Sequence, residues 1–340
     1  MKLSFVIPCY NMEKYLPECL DSLLDQNLNT DEFEVIVVND ESKDNTLAIA
    51  NEYSKKHSCI KVLDKKNGGV GAARNSGLDQ AIGKYIFFLD PDDFLAQNVV
   101  GKLLTVIEAN DLDILTFHSH DFKFDGPKTS RNINDIDANN LHITDGITYI
   151  AERKFKNEIW WFLTNRAFLI ESGIRFIEGR WMEDAILAAE LFCKARKMAH
   201  FDLDVHRYRI LPNSAMRNKS REHYNKVIFD NANAAHVYND LIKTIPANHP
   251  QSKQCINRLR TRQQSFVFFL MVRLMKSDIS IDKIPEMLVD FEKINAYPLD
   301  NFLGEDYHGL EYSFMVWIFN HKSAIKPFIK VFRPLYRIIK

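Results

Sequence analysis

"IFFLDPDDF", residues 86–94, runs through four apolar side chains and then sets Asp90, Asp92 and Asp93 within four positions. Carboxylates this close repel and raise one another's pKa, so the cluster needs either solvation by water or a cation. The apolar run reads as a strand buried on both faces, as in a parallel sheet. Other stretches repeat the pattern: "LSFVIP" (3–8), "FEVIVVND" (33–40), "IKVLD" (60–64) and "KYIFFLD" (84–90) are short, bulky and β-branched or aromatic. Helical patterns over 12–26, 43–57 and 71–82 separate them, the lengths expected of βαβ crossovers. A helix over about 96–110 and a strand at 112–118, "LDILTFH", follow. The order predicts an α/β fold, a mostly parallel sheet flanked by helices. Each buried strand ends in polar residues: Tyr10 and Asn11, Asn39 and Asp40, then Asp90 to Asp93. Ligands of open α/β sheets bind outside the carboxyl ends of strands, so these side chains should converge on one crevice.

Beyond the first strands, 121–145 reads as a polar excursion or a strand pair with a loop, and 158–195 is rich in tryptophan and ends in a helix from about 183. A strand-like "FDLDVHRYRI" (201–210) precedes an almost wholly helical pattern from about 220. The expected organisation is a domain over 1–215, with halves 1–118 and 119–215, and a helical region over 216–340. The 340 residues are 46% hydrophobic and 26% charged, as in an ordinary globular protein. A net charge of −1 argues against nucleic acid as a partner. The first hundred residues nevertheless carry 16 acidic against 10 basic side chains, and residues 321–340 carry six basic and no acidic ones. Five cysteines without a CxxC pair fit a reducing cytoplasm rather than a disulfide framework or zinc site. The apolar run of "MKLSFVIPCYN" is too short for a secretory signal or a membrane span. The tail "NHKSAIKPFIKVFRPLYRIIK" (320–340) is basic and amphipathic. It reads either as a membrane-surface segment or as a packed helix that Pro327 and Pro334 would interrupt.

Mg²⁺ or Mn²⁺ usually takes one or two protein carboxylates, with phosphates and waters completing its shell, and Asp-x-Asp on a turn stiffened by Pro91 supplies them. Asp40 could accept hydrogen bonds from a base or ribose, or cap the helix near 43. Arg74, in "NGGVGAARNSG" (67–77), suits a diphosphate or buttresses a carboxylate. The glycines around it allow close backbone approach or serve turn and helix packing. They are not a dinucleotide fingerprint, because they follow the third strand and read GxGxxR, while the first strand leads into "PCYN".

These pieces carry a resemblance. "SFVIPCYN" (4–11), "VIVVNDESKDNT" (35–46), "NGGVGAARNSG" (67–77) and "GKYIFFLDPDDF" (83–94) stand in the order and spacing of a family 2 glycosyltransferase with the GT-A fold. The resemblance continues less tightly through "WWFLTNRAFLIESGIRFIEGRWMEDA" to about 215. One departure is Glu41, where family members commonly have glycine. The resemblance implies that Pro8, Tyr10 and Asp40 hold the base, usually uracil, of a UDP-sugar donor. It further implies that Asp90 supports the ribose and the metal, that Asp92 binds Mn²⁺ or Mg²⁺, and that Arg74 braces the aspartates. Asp93 falls to a turn role.

Glycosyl transfer also needs a base for the acceptor hydroxyl. "WMEDAILAAEL" (181–191) offers Glu183 and Asp184 at a helix start, where acidic residues are favoured in any case. The match to the family's Glu-Asp motif favours Asp184 as base, with Glu183 shaping the pocket. A base on one face of the sugar and a diphosphate leaving from the other imply in-line displacement with inversion. Trp160 and Trp181 flank this motif as acceptor contacts, with core packing the other reading for each. His206 is a structural histidine or a metal neighbour, and "RYRILPNSAMRN" (207–218) resembles a loop that closes over the diphosphate; its arginines otherwise read as solvated. A glycan or lipid-linked oligosaccharide of the bacterial surface, met in the cytoplasm or at the cytoplasmic face of the membrane, is the acceptor class the resemblance implies. A sugar nucleotidyltransferase would carry a glycine-rich basic loop after its first strand, which "PCYNMEKY" lacks. A non-catalytic sugar-nucleotide-binding module has no reason to keep Asp40, Asp92 and Asp184 together.

Overall fold

The computed structural model describes residues 1–123, 126–134, 141–211 and 220–339, with side chains to 336. Residues 1–149 with 155–212 form one compact unit, and 150–154 with 213–340 form a second.

In the first unit β1 (Leu3–Cys9), α1 (Leu16–Leu24), β2 (Phe33–Asp40), α2 (Thr46–Lys56), β3 (Ile60–Lys65), α3 (Val70–Gln80) and β4 (Tyr85–Phe88) alternate as the apolar pattern predicts. After them come β5 (Phe94–Leu95), α4 (Val100–Ala109), β6 (Ile114–Phe122), α5 (Gly146–Glu152, of which residues 150–152 belong to the second unit), β7 (Phe162–Asn165), α6 (Arg166–Ser172), α7 (Glu183–Lys194) and β8 (Met198–Arg209). One eight-stranded sheet results, in the order β3-β2-β1-β4-β7-β6-β8-β5. The first four strands are parallel; β7 and β5 run antiparallel to their neighbours, and β6 and β8 are parallel to each other. β1 and β2 are buried throughout, whereas β3, at an edge of the sheet, is buried only at Ile60. The strand expected to reach Asp90 ends at Phe88, since the chain turns away there to lay β5 against β8. β5 and β7, of two and four residues, are too short to show a period.

The core on one side of the sheet joins Phe5, Phe33, Phe87, Phe117 and Leu203 with Leu16, Leu20 and Leu103 from α1 and α4. α3 lies close to β1 because Gly77 faces Val6: a Cβ at 77 would stand 2.4 Å from a Val6 methyl. One buried carboxylate is fully engaged. Glu34 accepts hydrogen bonds from the Ser4 hydroxyl (2.6 Å), the Ile82 N–H (2.8 Å) and Lys61 (2.7 Å), as a buried charge requires.

The second unit is helical: α8 (Arg221–Thr244), α9 (Ser252–Lys276), α10 (Ile284–Lys293), α11 (Leu310–Asn320) and α12 (Lys322–Ile339). The Ser220 side chain caps α8. Phe268, Phe302 and Tyr307 stack in series beside α9. α12 is a single helix, contrary to the expectation that Pro327 and Pro334 would interrupt it. It buries Ile325 and Ile329, and Arg333 Nη2 donates to the Leu274 and Ile279 carbonyls, so tertiary contacts offset what the prolines cost. Among the described residues no helix is long and apolar enough to cross a membrane.

Candidate active site

The carboxylate turn is built by its own backbone. The Asp93 N–H donates to the Asp90 carbonyl at 3.1 Å, closing a turn in which Pro91 presets the φ of the second position. β8 pins it from outside: the Arg209 N–H donates to Asp93 Oδ1 and Arg209 Nε to the Asp92 carbonyl, both at 2.8 Å. Asp93 therefore faces inward at 1% exposure, while Asp90 and Asp92 remain partly exposed. Arg209 also pairs with Glu18 and lies over the Phe122 ring at 4.6 Å.

Without a cation the turn is electrostatically unfavourable. Burial, then repulsion from Asp93 and Asp90, pushes the Asp92 carboxyl up to about 8. Burial and Asp90 drive Asp93 well above the carboxylate range. Among the described residues, Asp93 Oδ2 and His206 Nε2, both buried, lack a hydrogen-bond partner although only 3.1 Å apart. His206 is fully buried, and burial lowers its pKa to about 3, which makes it a neutral imidazole. A hard divalent cation suits this oxygen-rich turn of crowded carboxylates.

Arg74 joins this turn to the acidic pair. At 4% exposure its Nη2 donates to Asp90 Oδ1 (2.8 Å) and its Nη1 to Glu183 Oε1 (2.7 Å). Burial disfavours the guanidinium charge, but Asp90, Glu183 and Asp184 outweigh that effect. Phe176 packs against it, 5.4 Å from ring centroid to guanidinium. The two acids of α7 thereby differ. Glu183 is buried and bonded to Arg74, yet burial still raises its pKa. Asp184 Oδ1 accepts the Ala185 N–H at 2.7 Å, and among the described residues it has no ion pair. Burial, and then Glu183, hold its carboxyl well above the usual range, as a base working near neutral pH requires. The turn into α7 is strained: Met182, its N-cap, has φ 68°, a left-handed backbone that costs about 1–3 kcal/mol in a residue with a side chain.

Asp40 ends β2 and caps neither α2 nor the solvent. Its two oxygens take the Gly68 and Gly69 N–H groups, each at 2.9 Å, and Lys65 lies 3.0 Å from Oδ1. It thus holds the entrance to α3, where Gly69 adopts φ 83°. Glu41 follows with φ 64°, which explains why glycine suits this position. Its carboxylate accepts the Asn67 N–H and pairs with Lys43. Pro8 is buried within β1 against Val38, and Tyr10 stands 46% exposed beyond its end.

Trp160 is 4% exposed, stacked with His206 (4.4 Å) and Tyr208 (5.3 Å), with Lys156 5.0 Å from its ring. Trp181 is partly exposed. The 207–218 arginines divide. Arg207 is fully buried, with bonds to both oxygens of Asp204 and to the Pro127 and Thr129 carbonyls, so the solvated reading fails for it. Residues 212–218 of that loop lie outside the described residues. Arg209 is likewise not merely solvated, since it pairs with Glu18 and holds the carboxylate turn. One participant escaped sequence reasoning: Lys156, whose pKa burial lowers, carried no signal.

Residues 4–185 match the glycosyl transferase family 2 profile. The "uncharacterized glycosyltransferase EpsJ" of Bacillus subtilis (strain 168) is 31% identical over 217 residues, which is 62% of this chain and 62% of that protein's length. Over 116 residues the chain is 39% identical to the poly(ribitol-phosphate) beta-N-acetylglucosaminyltransferase TarS of Staphylococcus aureus (strain Mu50 / ATCC 700699), covering 34% of this chain and 20% of that one. The crystal structure of S. aureus TarS 1-349 in complex with UDP matches with a TM-score of 0.68 at 21% identity, over 100% of this chain and 92% of that one. That likeness establishes the GT-A fold: a mixed sheet flanked by helices, with a helical C-terminal region. The ordered motifs along β1 to β4 and the profile match across more than half the chain place this protein in glycosyl transferase family 2.

Proposed function

We propose that this glycosyltransferase moves a sugar from a UDP-sugar to a glycan or lipid-linked oligosaccharide acceptor, with inversion, during surface polysaccharide synthesis. One observation carries the reading: Arg74 ties Asp90, on the donor turn, to Glu183, beside Asp184. Donor-side and acceptor-side acids thus belong to one constellation. The UDP held by the TarS structure and the polymer named for TarS support the donor and acceptor classes.

In this reading Pro8, Tyr10 and Asp40 hold the uracil and Asp90 supports the ribose. Asp92 and Asp90 would hold Mn²⁺ or Mg²⁺, which when bound supplies Lewis-acid stabilisation of the departing diphosphate. Asp184 accepts the proton of the acceptor hydroxyl as its oxygen bonds to the anomeric carbon, and the bond to the diphosphate breaks on the opposite face. Glu183 keeps Arg74 in place and, by repulsion, keeps Asp184 basic. Trp181 contacts the acceptor, and Trp160 contributes by backing Tyr208. Residues 1–118 serve the donor and 119–215 the acceptor.

The helical region over 216–340 carries a membrane-surface face, on the cytoplasmic side. α11 exposes Leu310 (89%), Phe314 (53%) and Trp317 (55%), and α12 exposes Val331 (63%) and Leu335 (54%) beside Lys330. An apolar stripe beside basic residues suits an anionic lipid surface. A panel of nucleotide sugars tests the function: UDP should be released only when donor, divalent cation and acceptor are all present. Release without acceptor, or none with any acceptor, would count against it.

A further inference from the structure

We infer that His118, His200 and Asp202 form a binding site for a divalent transition-metal ion of the zinc class, fastening β6 to β8. Their ligand atoms all lie within 4.8 Å of one another. His118 Nε2 and His200 Nε2 stand 3.5 Å apart, and His118 Nε2 also meets an Asp202 carboxylate oxygen. Zinc ligands lie about 2.0–2.1 Å from the ion, so tetrahedral neighbours are spaced about 3.4 Å apart. The two imidazoles already have that spacing. Asp202, with its side chain 79% exposed, is free to move the remaining distance.

Two features indicate that the spacing is built in. The first is a hydrogen-bond chain behind His200: its Nδ1 lies 2.9 Å from Thr116 Oγ1, which also meets the Tyr149 hydroxyl (2.6 Å) and the Ala199 carbonyl (3.3 Å). With the threonine proton directed to the Ala199 carbonyl, which can only accept, Thr116 is left to accept from the Tyr149 hydroxyl and from Nδ1–H of the His200 tautomer that a metal selects. Nε2 of His200 then carries a lone pair aimed at His118. A hydrogen bond on the far nitrogen is how metal-binding histidines are oriented. The second feature is register. Thr116 pairs with His200 but His118 with Asp204, so two residues of β6 span four of β8. Such a bulge re-aims a side chain, here bringing His118 to both partners.

The cluster is separate from the carboxylate turn. Along the β6–β8 pair, His200 lies opposite Thr116 and His206 opposite Ser119, three residues further on, which is about 10 Å at a strand's rise. Its chemistry also differs, since imidazoles select zinc, cobalt or nickel over magnesium. The inference therefore does not depend on the glycosyl-transfer reading.

The test is calorimetry of the untagged full chain with ZnCl₂, in excess MgCl₂ to occupy the carboxylate turn, with CoCl₂ absorption as a second readout. Wild type should bind one zinc ion at micromolar concentration or tighter and give a Co²⁺ spectrum of a nitrogen–oxygen site. His200→Ala and His118→Gln should abolish both signals, and Asp92→Asn should keep them. Thr116→Val, which removes only the orienting partner, should weaken zinc binding about 10–100-fold. Circular dichroism checks that each variant is folded. Equal zinc binding by wild type and both histidine variants would overturn the site, as would wild-type binding at millimolar zinc alone or loss of the signal in Asp92→Asn.

Discussion

Asp184→Asn and Glu183→Gln should fail in different ways, because the fold gives the two neighbouring acids different partners. Asp184 accepts its hydrogen bond from within its own helix turn, so its amide analogue keeps size and packing while losing basicity. Loss of a general base typically costs about 10²- to 10⁴-fold in rate, and donor affinity should be unchanged. Glu183 is bonded at 2.7 Å to a guanidinium that is itself 4% exposed. Glutamine keeps an oxygen acceptor but not the charge, which should cost about 1.5–3 kcal/mol. Alanine, which leaves Arg74 short of a partner, should cost about 3–5 kcal/mol. Each kcal/mol lowers Tm by about 2–4 °C in a unit of this size. The assay is single-turnover transfer at saturating UDP-sugar, with donor affinity and thermal melts for each variant.

The pH dependence has a definite sign. The Asp184 carboxyl is raised by burial and by Glu183, so the rate should climb with pH above the usual carboxylate range as Asp184 ionises. Asp184→Asn should remove that limb. A raised folded-state pKa also means a stabilising contribution that is complete below the unfolded value and lost as pH rises through the folded one. Asp184→Asn should therefore melt above wild type at neutral and alkaline pH, and not at pH 3. Near-normal turnover in Asp184→Asn, with turnover lost in Glu183→Gln at unchanged Tm, would assign the base to Glu183. Full activity in both would refute the reasoning.

Asp92→Asn should weaken Mn²⁺-dependent UDP binding and leave the fold intact; calorimetry showing unchanged affinity with and without Mn²⁺ would remove Asp92 from the metal site. Gly77→Ala should destabilise by about 1–3 kcal/mol in denaturant melts, because its Cβ would lie 2.4 Å from Val6 and overpacking outweighs alanine's better helix propensity. Lys330→Glu should reduce co-sedimentation with anionic vesicles about 30-fold, since each charge near such a surface is worth about 1 kcal/mol and the change swaps one attraction for one repulsion. Equal sedimentation of both proteins would exclude the membrane-surface face.

The apolar runs of β1, β2 and β4 and the helices between them were legible in the residues, because periodicity and βαβ spacing are local properties. The ordered motifs also pointed to the family, because their residues and spacings are carried by the chain itself. What folding alone decided is partnership. Nothing in "GAARNSG" announces that Arg74 will bridge Asp90 and Glu183, because 16 and 109 residues separate these partners and only the sheet brings them together. Nothing local to Asp40 announces that its oxygens accept the Gly68 and Gly69 amides, a partnership set by where β3 delivers the glycine loop. Pro327 and Pro334 carry a local penalty that packing overrides in α12. The pairing of β6 with β8 likewise brings His118 to His200 across 82 residues of chain, through a bulge that no sequence period encodes. Local propensity writes the elements, and the burial of distant polar groups against one another chooses which of them act together.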